Sequence, residues 1–331
     1  MSKTIDAILK HARQQPLKVV LSEWDDPRIH EALTLAKQTL PNVDLKLIVP
    51  INGRLNPKFD DNIHRIVPDS DEARLLAHKL MRRRAHKAMT LDEANQAILD
   101  PLMYASLLVE GNYAQGTVNG CVRTSADVIR TYIHALGQDS EAQIVSSYSL
   151  MILNPASDHE RVVVFSDCAL VIDPTAQELA DIGVASAHSF QELTGQIPKI
   201  AFLSFDTNGS AAHTKIEKVV NAVSLAKSRA PTLTIDGPLQ FDAAFVPEIC
   251  KRKAPRSAIG GNANVFIFPD LNSGNISYKI AERIGGAVAL GPLLQGLTKP
   301  AHDLSRGSNA RDILTTIAIT AIQAQSIQAQ H

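Results

Sequence analysis

Short apolar runs, rich in Val, Ile and Leu, alternate along nearly the whole chain with stretches whose apolar positions recur at helical spacing. KVVLSE (Lys18 to Glu23) precedes a helical stretch that begins at Arg28, and LKLIVP (Leu45 to Pro50) follows it. QAILD then leads to GTVNGCV, and later come RVVVFSD, PKIAFLSF, TLTIDG and ANVFIFPD, each followed by a candidate helix. Strands that alternate with helices predict an α/β fold with largely parallel sheets and helices on both faces.

At roughly 150 residues per domain, a chain of 331 residues suggests two domains. No repeat, low-complexity tract or long linker interrupts it. One candidate crossing is LGQDSEAQIV (Leu136 to Val145), a polar segment after the helix that Arg130 should occupy. A second is GPLLQGLTKP (Gly291 to Pro300), where Gly and Pro cluster. If the chain crosses at both, residues 1–141 and 296–331 form one three-layer α/β/α domain and residues 142–295 form another. The active site is then expected in the cleft between them.

Hydrophobic residues make up 45% of the chain and aromatics only 5%, so the core should be ample and mostly aliphatic. A net charge of −1 gives no global basic field for nucleic acid or an anionic membrane, so any anion must be met by local groups. Cys121, Cys168 and Cys250 are odd in number, far apart and free of any C-x-x-C spacing, which disfavours a disulfide framework or a zinc site and fits a reducing cytoplasm. The histidines show no ligand spacing, and no metal is expected. The N-terminal stretch lacks the long apolar core of a signal peptide, and no window approaches the ~18 uninterrupted apolar residues of a membrane span.

Four stretches carry candidate chemistry. In HDLSRGSNARDILTTIAITAIQAQ, apolar residues at Ile313, Ile317, Ala321 and Ala324 keep helical spacing, so Asp312 falls in a first helical turn with Asn309 as the N-cap. Asp312 then reads either as a cap acid favoured by the helix dipole or as part of an anion-adjacent active site. In the second reading Arg306 supplies a bidentate fork and Ser305 a hydroxyl donor, and the two readings can coexist. GCVRTSADVIRTYIHALG repeats the construction. Thr124, Ser125 and Asp127 open a helix with a capping-box pattern, and Arg130 follows one turn in. Two such helix starts facing one another would clamp a phosphate. IFPDLNSGNISYK and SFDTNGSA (Ser204 to Ala211) each end a strand in turn residues, where open α/β sheets bind ligands.

There is no G-x-x-x-x-G-K-[ST], H-E-x-x-H, G-x-S-x-G or orderly G-x-G-x-x-G, which sets aside nucleotide hydrolases, zinc proteases and lipases. The run Arg82-Arg83-Arg84 reads first as a solvated helix face, with a CoA phosphate as the rarer alternative.

IDGPLQFDAAFVPEICKRKAP, GNANVFIFPDLNSGNISYKIAERIGG and GPLLQGLTKPAHDLSRG resemble the phosphate acetyltransferase (phosphotransacetylase) family almost continuously, as do DCALVIDPTAQELADIGVASA, SFDTNGSA and DDPRIHEAL. The resemblance implies reversible transfer of an acetyl group between CoA and inorganic phosphate, in which acetyl-CoA and phosphate give CoA and acetyl phosphate. It also implies an isocitrate dehydrogenase-like two-domain fold, a homodimer and no tightly bound cofactor, CoA being a substrate. The family's Ser-Arg-Gly maps onto Ser305, Arg306 and Gly307 and its downstream acid onto Asp312. Its S-T-A-D element matches Thr124 to Asp127 and the following Arg matches Arg130. The Arg that meets the CoA 3′-phosphate falls near Arg84. Arg123, the GGNAN run, Asp206 and Asn208 depart from the family pattern.

By this resemblance Asp312 is the candidate base for the CoA thiol, whose ordinary pKa is about 8.5. Ser305 donates to the oxyanion, and Arg306 with Arg130, Thr124 and Ser125 holds phosphate. An Asp is intrinsically a weak base, so burial or orientation must help it. The competing readings are a phosphate butyryl- or propionyltransferase and a catalytically silent acetyl-CoA sensor.

Overall fold

The structure is a computed structural model describing residues 2–207, 209 and 213–329. These fold as two compact units, one of residues 7–139 with 297–329 and the other of residues 2–6 with 140–296.

The first unit holds a five-stranded sheet of β1 (Leu17–Leu21), β2 (Val43–Val49), β3 (Ile63–Arg65), β4 (Gly116–Asn119) and, from the far end of the chain, β11 (Ala301–Asp303). Its order is β11-β4-β1-β2-β3 and every pairing is parallel. Helices Pro27–Thr39 and Ala310–Ala329 pack on one face, and Asp71–Arg83, Pro101–Glu110 and Ser125–Ala135 on the other. A strand covered on both sides is apolar nearly throughout, which is why Leu17, Val19, Val20 and Leu21 are all buried. Ile313, Ile317, Ala321 and Ala324 are buried as their spacing predicts, and Leu314, Ala318 and Ile322 are buried too, so this helix is enclosed over most of its circumference.

The second unit holds β5 (Ser146–Leu153), β6 (Arg161–Ser166), β7 (Lys199–Leu203), β8 (Thr234–Leu239), β9 (Val265–Ile267) and β10 (Val288–Gln295), in the order β10-β5-β6-β9-β7-β8. β6, β9, β7 and β8 are parallel, while β5 runs antiparallel to both β6 and β10. Helices Ala176–Thr194 and Thr214–Arg229 pack together against this sheet, and helix Leu271–Arg283 packs against β6 and β10.

Two details differ from the sequence expectation. The chain passes between units within GPLLQGLTKP, at Gly296–Leu297, but its first five residues, GPLLQ, are the end of edge strand β10, where a Pro can sit. Residues 2–6 count with the second unit because Glu160 gathers them: its carboxylate accepts from the Ser2 hydroxyl at 3.0 Å and from the Thr4 amide and hydroxyl at 2.8 and 2.7 Å.

Candidate active site

β11, β4 and β1 are neighbours in a parallel sheet, so the segments leaving their carboxyl ends lie side by side, at the edge where open α/β sheets bind ligands. After β1 comes Ser22 to Asp26, after β4 comes Gly120 to Thr124, and after β11 comes Leu304 to Asn309. Arg84, Thr124, Ser125, Arg130, Ser305, Arg306 and Asp312 all fall in this one unit.

Arg28 ties the three segments together. Its Nη1 donates to the carbonyls of Arg306 (2.7 Å) and Ser308 (3.2 Å), its Nη2 to the carbonyl of Cys121 (2.7 Å) and to Asp26 Oδ2 (2.8 Å), and its Nε to Asp26 Oδ1 (3.0 Å). A planar guanidinium with five donors can serve four partners in this way. Its hydrogen bonds hold the Asp26 carboxyl below the usual carboxylate range against the effect of burial. Asp26 also caps the helix that carries Arg28, accepting from the Arg28 amide at 2.8 Å.

Glu23 fixes the turn after β4. Its buried carboxylate accepts from the amides of Gly120, Cys121, Val122 and Arg123 at 2.8–3.1 Å and from Cys121 Sγ at 2.9 Å. Burial and Glu23 push the Cys121 thiol up, so it stays protonated. Asn119, also buried, accepts from the Ser22 amide at 2.6 Å and donates to Thr117 Oγ1 and Tyr132 Oη at 2.7 and 2.9 Å. Arg123, a departure from the family pattern, locks the same turn by a two-pronged pair to Asp100 at 3.0 and 2.6 Å.

On this frame sit the exposed groups. Thr124 is the N-cap of helix Ser125–Ala135: its Oγ1 accepts from the Asp127 amide at 3.2 Å and donates to Asp127 Oδ2 at 2.7 Å. Arg130 is turned back onto Asp127 at 3.1 Å rather than standing free. Ser305 and Arg306 are exposed; Ser305 Oγ accepts from the Gly307 amide at 3.2 Å, and among the described residues the Arg306 guanidinium has no ion pair. Asn309 caps the last helix through the amides of Arg311 and Asp312 at 2.9 and 3.1 Å, and Asp312 Oδ2 accepts from the Asn309 amide at 2.9 Å in return. The cap reading of Asp312 is thus realised. The half-buried carboxylate is held by one oxygen, Oδ2.

Arg84 ends helix Asp71–Arg83 and lies with Arg130 and His86 around His134. Burial, then these three groups, push the His134 imidazole down, so positive charge at this end of helix Ser125–Ala135 comes from the arginines and not from His134. The Arg82-Arg83-Arg84 run is not uniformly solvated: Arg83 turns inward to the Leu136 carbonyl and pairs with Glu110.

In the second unit, Ser204 and Phe205 of SFDTNGSA and Pro269, Asp270 and Asn272 of FPDLNSGN line one cavity of about 700 Å³ together with Lys218, among others. Asn208, Ser210 and Ala211 lie outside the described residues. Among the described residues no group of three or more His, Cys, Asp or Glu could hold a metal ion. Glu23, Arg28 and Asn119 were not read as site residues from sequence. The available signal was their position, at or just beyond strand ends.

The carboxyl edge of this parallel sheet gathers two helix starts with exposed arginines and hydroxyls, groups of the kind that suit an anion. The model of the phosphate acetyl/butaryl transferase family matches residues 3–321, and the chain belongs to that family. It is 41% identical over 328 residues to the phosphate acetyltransferase of Paracoccus denitrificans, covering 97% of this chain and 99% of the relative. It is 38% identical over 334 residues to the phosphate acetyltransferase of Acetivibrio thermocellus, covering 98% and 99%. A solved phosphotransacetylase from Streptococcus pyogenes superposes with a TM-score of 0.89 at 37% identity, covering 98% of this chain and all of that one. The activity is that of a phosphate acetyltransferase, and neither the longer-acyl nor the silent-sensor alternative is favoured.

Proposed function

We propose that the acetyl group passes directly between CoA and inorganic phosphate in a ternary complex at the carboxyl edge of β11, β4 and β1. In the thioester-forming direction the CoA S–H proton moves to Asp312 and the sulfur attacks the acyl carbon of acetyl phosphate. Ser305 donates to the developing oxyanion, the acyl C–O bond breaks, and phosphate leaves with the electron pair. Arg306 forks the phosphate, with Thr124, Ser125 and Arg130 opposite it, and Arg84 meets the CoA 3′-phosphate. The Arg28 hydrogen bonds that tie the β11 segment to the β4 segment are the single observation that carries this reading. CoA, acetyl-CoA, acetyl phosphate and inorganic phosphate are the partners, with CoA a substrate and no cofactor needed.

The working form is a homodimer. Ile276, Ile280 and Ile284 recur at one-turn spacing, all exposed, and offer an apolar stripe to a second copy. The setting is the cytoplasm, with neither nucleic acid nor a membrane surface as a partner. The net charge of −1 supports this, and no helix of the described residues is long and apolar enough to cross a membrane. The test is acetyl-CoA formation from acetyl phosphate and CoA by the purified protein, against propionyl and butyryl phosphates. Turnover fastest on acetyl phosphate is expected; preference for a longer acyl group, or no turnover, would overturn the reading.

A further inference from the structure

Asp303 ends β11 directly opposite Asn119 on β4, two residues before Ser305. It is 1% exposed, and neither carboxyl oxygen has a hydrogen-bond partner. A buried polar group without a partner is costly, so such a group in a folded enzyme calls for a role. Its carboxyl fills the space left by the missing side chain of Gly120: a Cβ there would lie 2.1 Å from Oδ1, and Gly120 has φ +113°. Around it stand Glu23 from the segment after β1, Tyr132 from helix Ser125–Ala135 and, on its own strand, His302. None brings a positive charge: Tyr132 is buried with its pKa raised, and burial lowers that of His302 to about 4. Burial, aided by the Glu23 charge, pushes Asp303 up to about 7, while the Ser125 hydroxyl acts the other way from outside hydrogen-bond geometry. Ser125 itself is exposed, in the first turn of the helix that faces the proposed phosphate site.

We propose that Asp303 is a positioning residue of the phosphate subsite that acts through Ser125: as a neutral acid it donates to Ser125 Oγ and leaves the hydroxyl proton directed at the phosphate. A serine hydroxyl has one proton and two lone pairs, so the protonation state of its buried neighbour decides what it presents outward. A neutral carboxylic acid donates to Oγ, and Ser125 then donates to an anion. An ionised carboxylate takes the Ser125 proton for itself and leaves oxygen lone pairs facing the phosphate. The enzyme therefore holds phosphate and acetyl phosphate less well as pH rises through neutrality. No bond is made or broken. The inference rests on the assignment of Ser125 to the phosphate subsite.

The experiment measures kcat and the KM for acetyl phosphate at pH 6 and pH 8.5 for the full-length enzyme and for Asp303→Asn, Asp303→Ala and Ser125→Ala. Ser125→Ala should raise the KM at pH 6 roughly 5- to 20-fold, and the pH dependence it retains is that of the substrate and the remaining groups. Beyond that background, the unaltered enzyme should show a KM that rises roughly fivefold or more between the two pH values. Asp303→Asn keeps a donor that does not titrate, so its KM should stay low at both pH values with kcat little changed. Asp303→Ala should resemble Ser125→Ala. If Ser125→Ala leaves the KM unchanged, the phosphate-site assignment of Ser125 fails and the inference falls with it. If Ser125→Ala raises the KM while Asp303→Asn keeps the full pH dependence, only the Asp303 inference fails. Should Asp303→Asn not fold, equal pH dependence in the unaltered enzyme and Ser125→Ala overturns the inference by itself.

Discussion

Arg28 and Arg306 are 278 positions apart in the chain, yet Nη1 of the first donates to the carbonyl of the second at 2.7 Å. Arg28 never needs to touch a substrate to matter. By holding the Arg306 carbonyl and the Cys121 carbonyl with one side chain, it sets the spacing between the two segments that are to grip phosphate.

Arg28→Ala should therefore damage both fold and rate. The Asp26 carboxylate, 8% exposed, loses its partner, which costs about 1.5–3 kcal/mol. The displaced segments should lower kcat/KM by roughly 10²-fold, the scale of an ångström-level misplacement. Arg28→Lys should recover little, because one ammonium cannot serve three carbonyls and a carboxylate in a plane. Thermal unfolding and initial rates check this, and a lysine variant with normal kcat/KM would contradict it.

Asp303 should make the protein less stable as pH rises. Its folded pKa of about 7 lies above the ordinary 3.8, so between these values the native state binds more protons than the unfolded chain and stability falls with pH. The loss is complete above about 7 and is on the order of 4 kcal/mol at most. Asp303→Asn removes the titration, so its melting temperature should gain on that of the unaltered protein between pH 4 and pH 8. A difference that does not change with pH would contradict this.

Ser305 and Arg306 are assigned different tasks and should fail differently. Ser305→Ala should lower kcat with little change in either KM, because its hydrogen bond strengthens only as charge develops on the acyl oxygen. Arg306→Lys should keep the charge but lose the two-pronged hold on phosphate, and kcat/KM for acetyl phosphate should fall at least tenfold. Steady-state kinetics on both substrates separate the two, and an effect of Ser305→Ala confined to KM would move that residue from catalysis to binding.

What the sequence revealed was what is local. β1, β6 and β9 read as apolar runs because strands covered on both faces carry little else. Thr124, Asn309 and Asp312 read as helix starts because a cap is made within three residues. β11 escaped notice because two of its three residues, His302 and Asp303, are polar and buried, so no hydrophobicity pattern marks them. β10 escaped because Gly291 and Pro292 read as part of a domain crossing when the strand lies at a sheet edge that tolerates them. Glu23, Arg28 and Asn119 were hidden for another reason. Their partners lie roughly a hundred to nearly three hundred residues away, and only the order β11-β4-β1 brings them within reach.

Asp312 carries the central claim, because the hydrogen bonds that cap the last helix and the proposed proton transfer use the same carboxyl group. Only Oδ2 is committed to the Asn309 amide, and an Asn side chain can still accept that hydrogen bond through its oxygen. The decisive measurement is thus a pair of curves on Asp312→Asn, thermal unfolding and initial rate against pH. Asp312→Asn should lower the melting temperature by no more than a cap's worth, about 1 kcal/mol of stability, with kcat down by roughly 10²- to 10⁴-fold. A variant that turns over at a near-normal rate would contradict it and leave Asp312 as a helix cap alone.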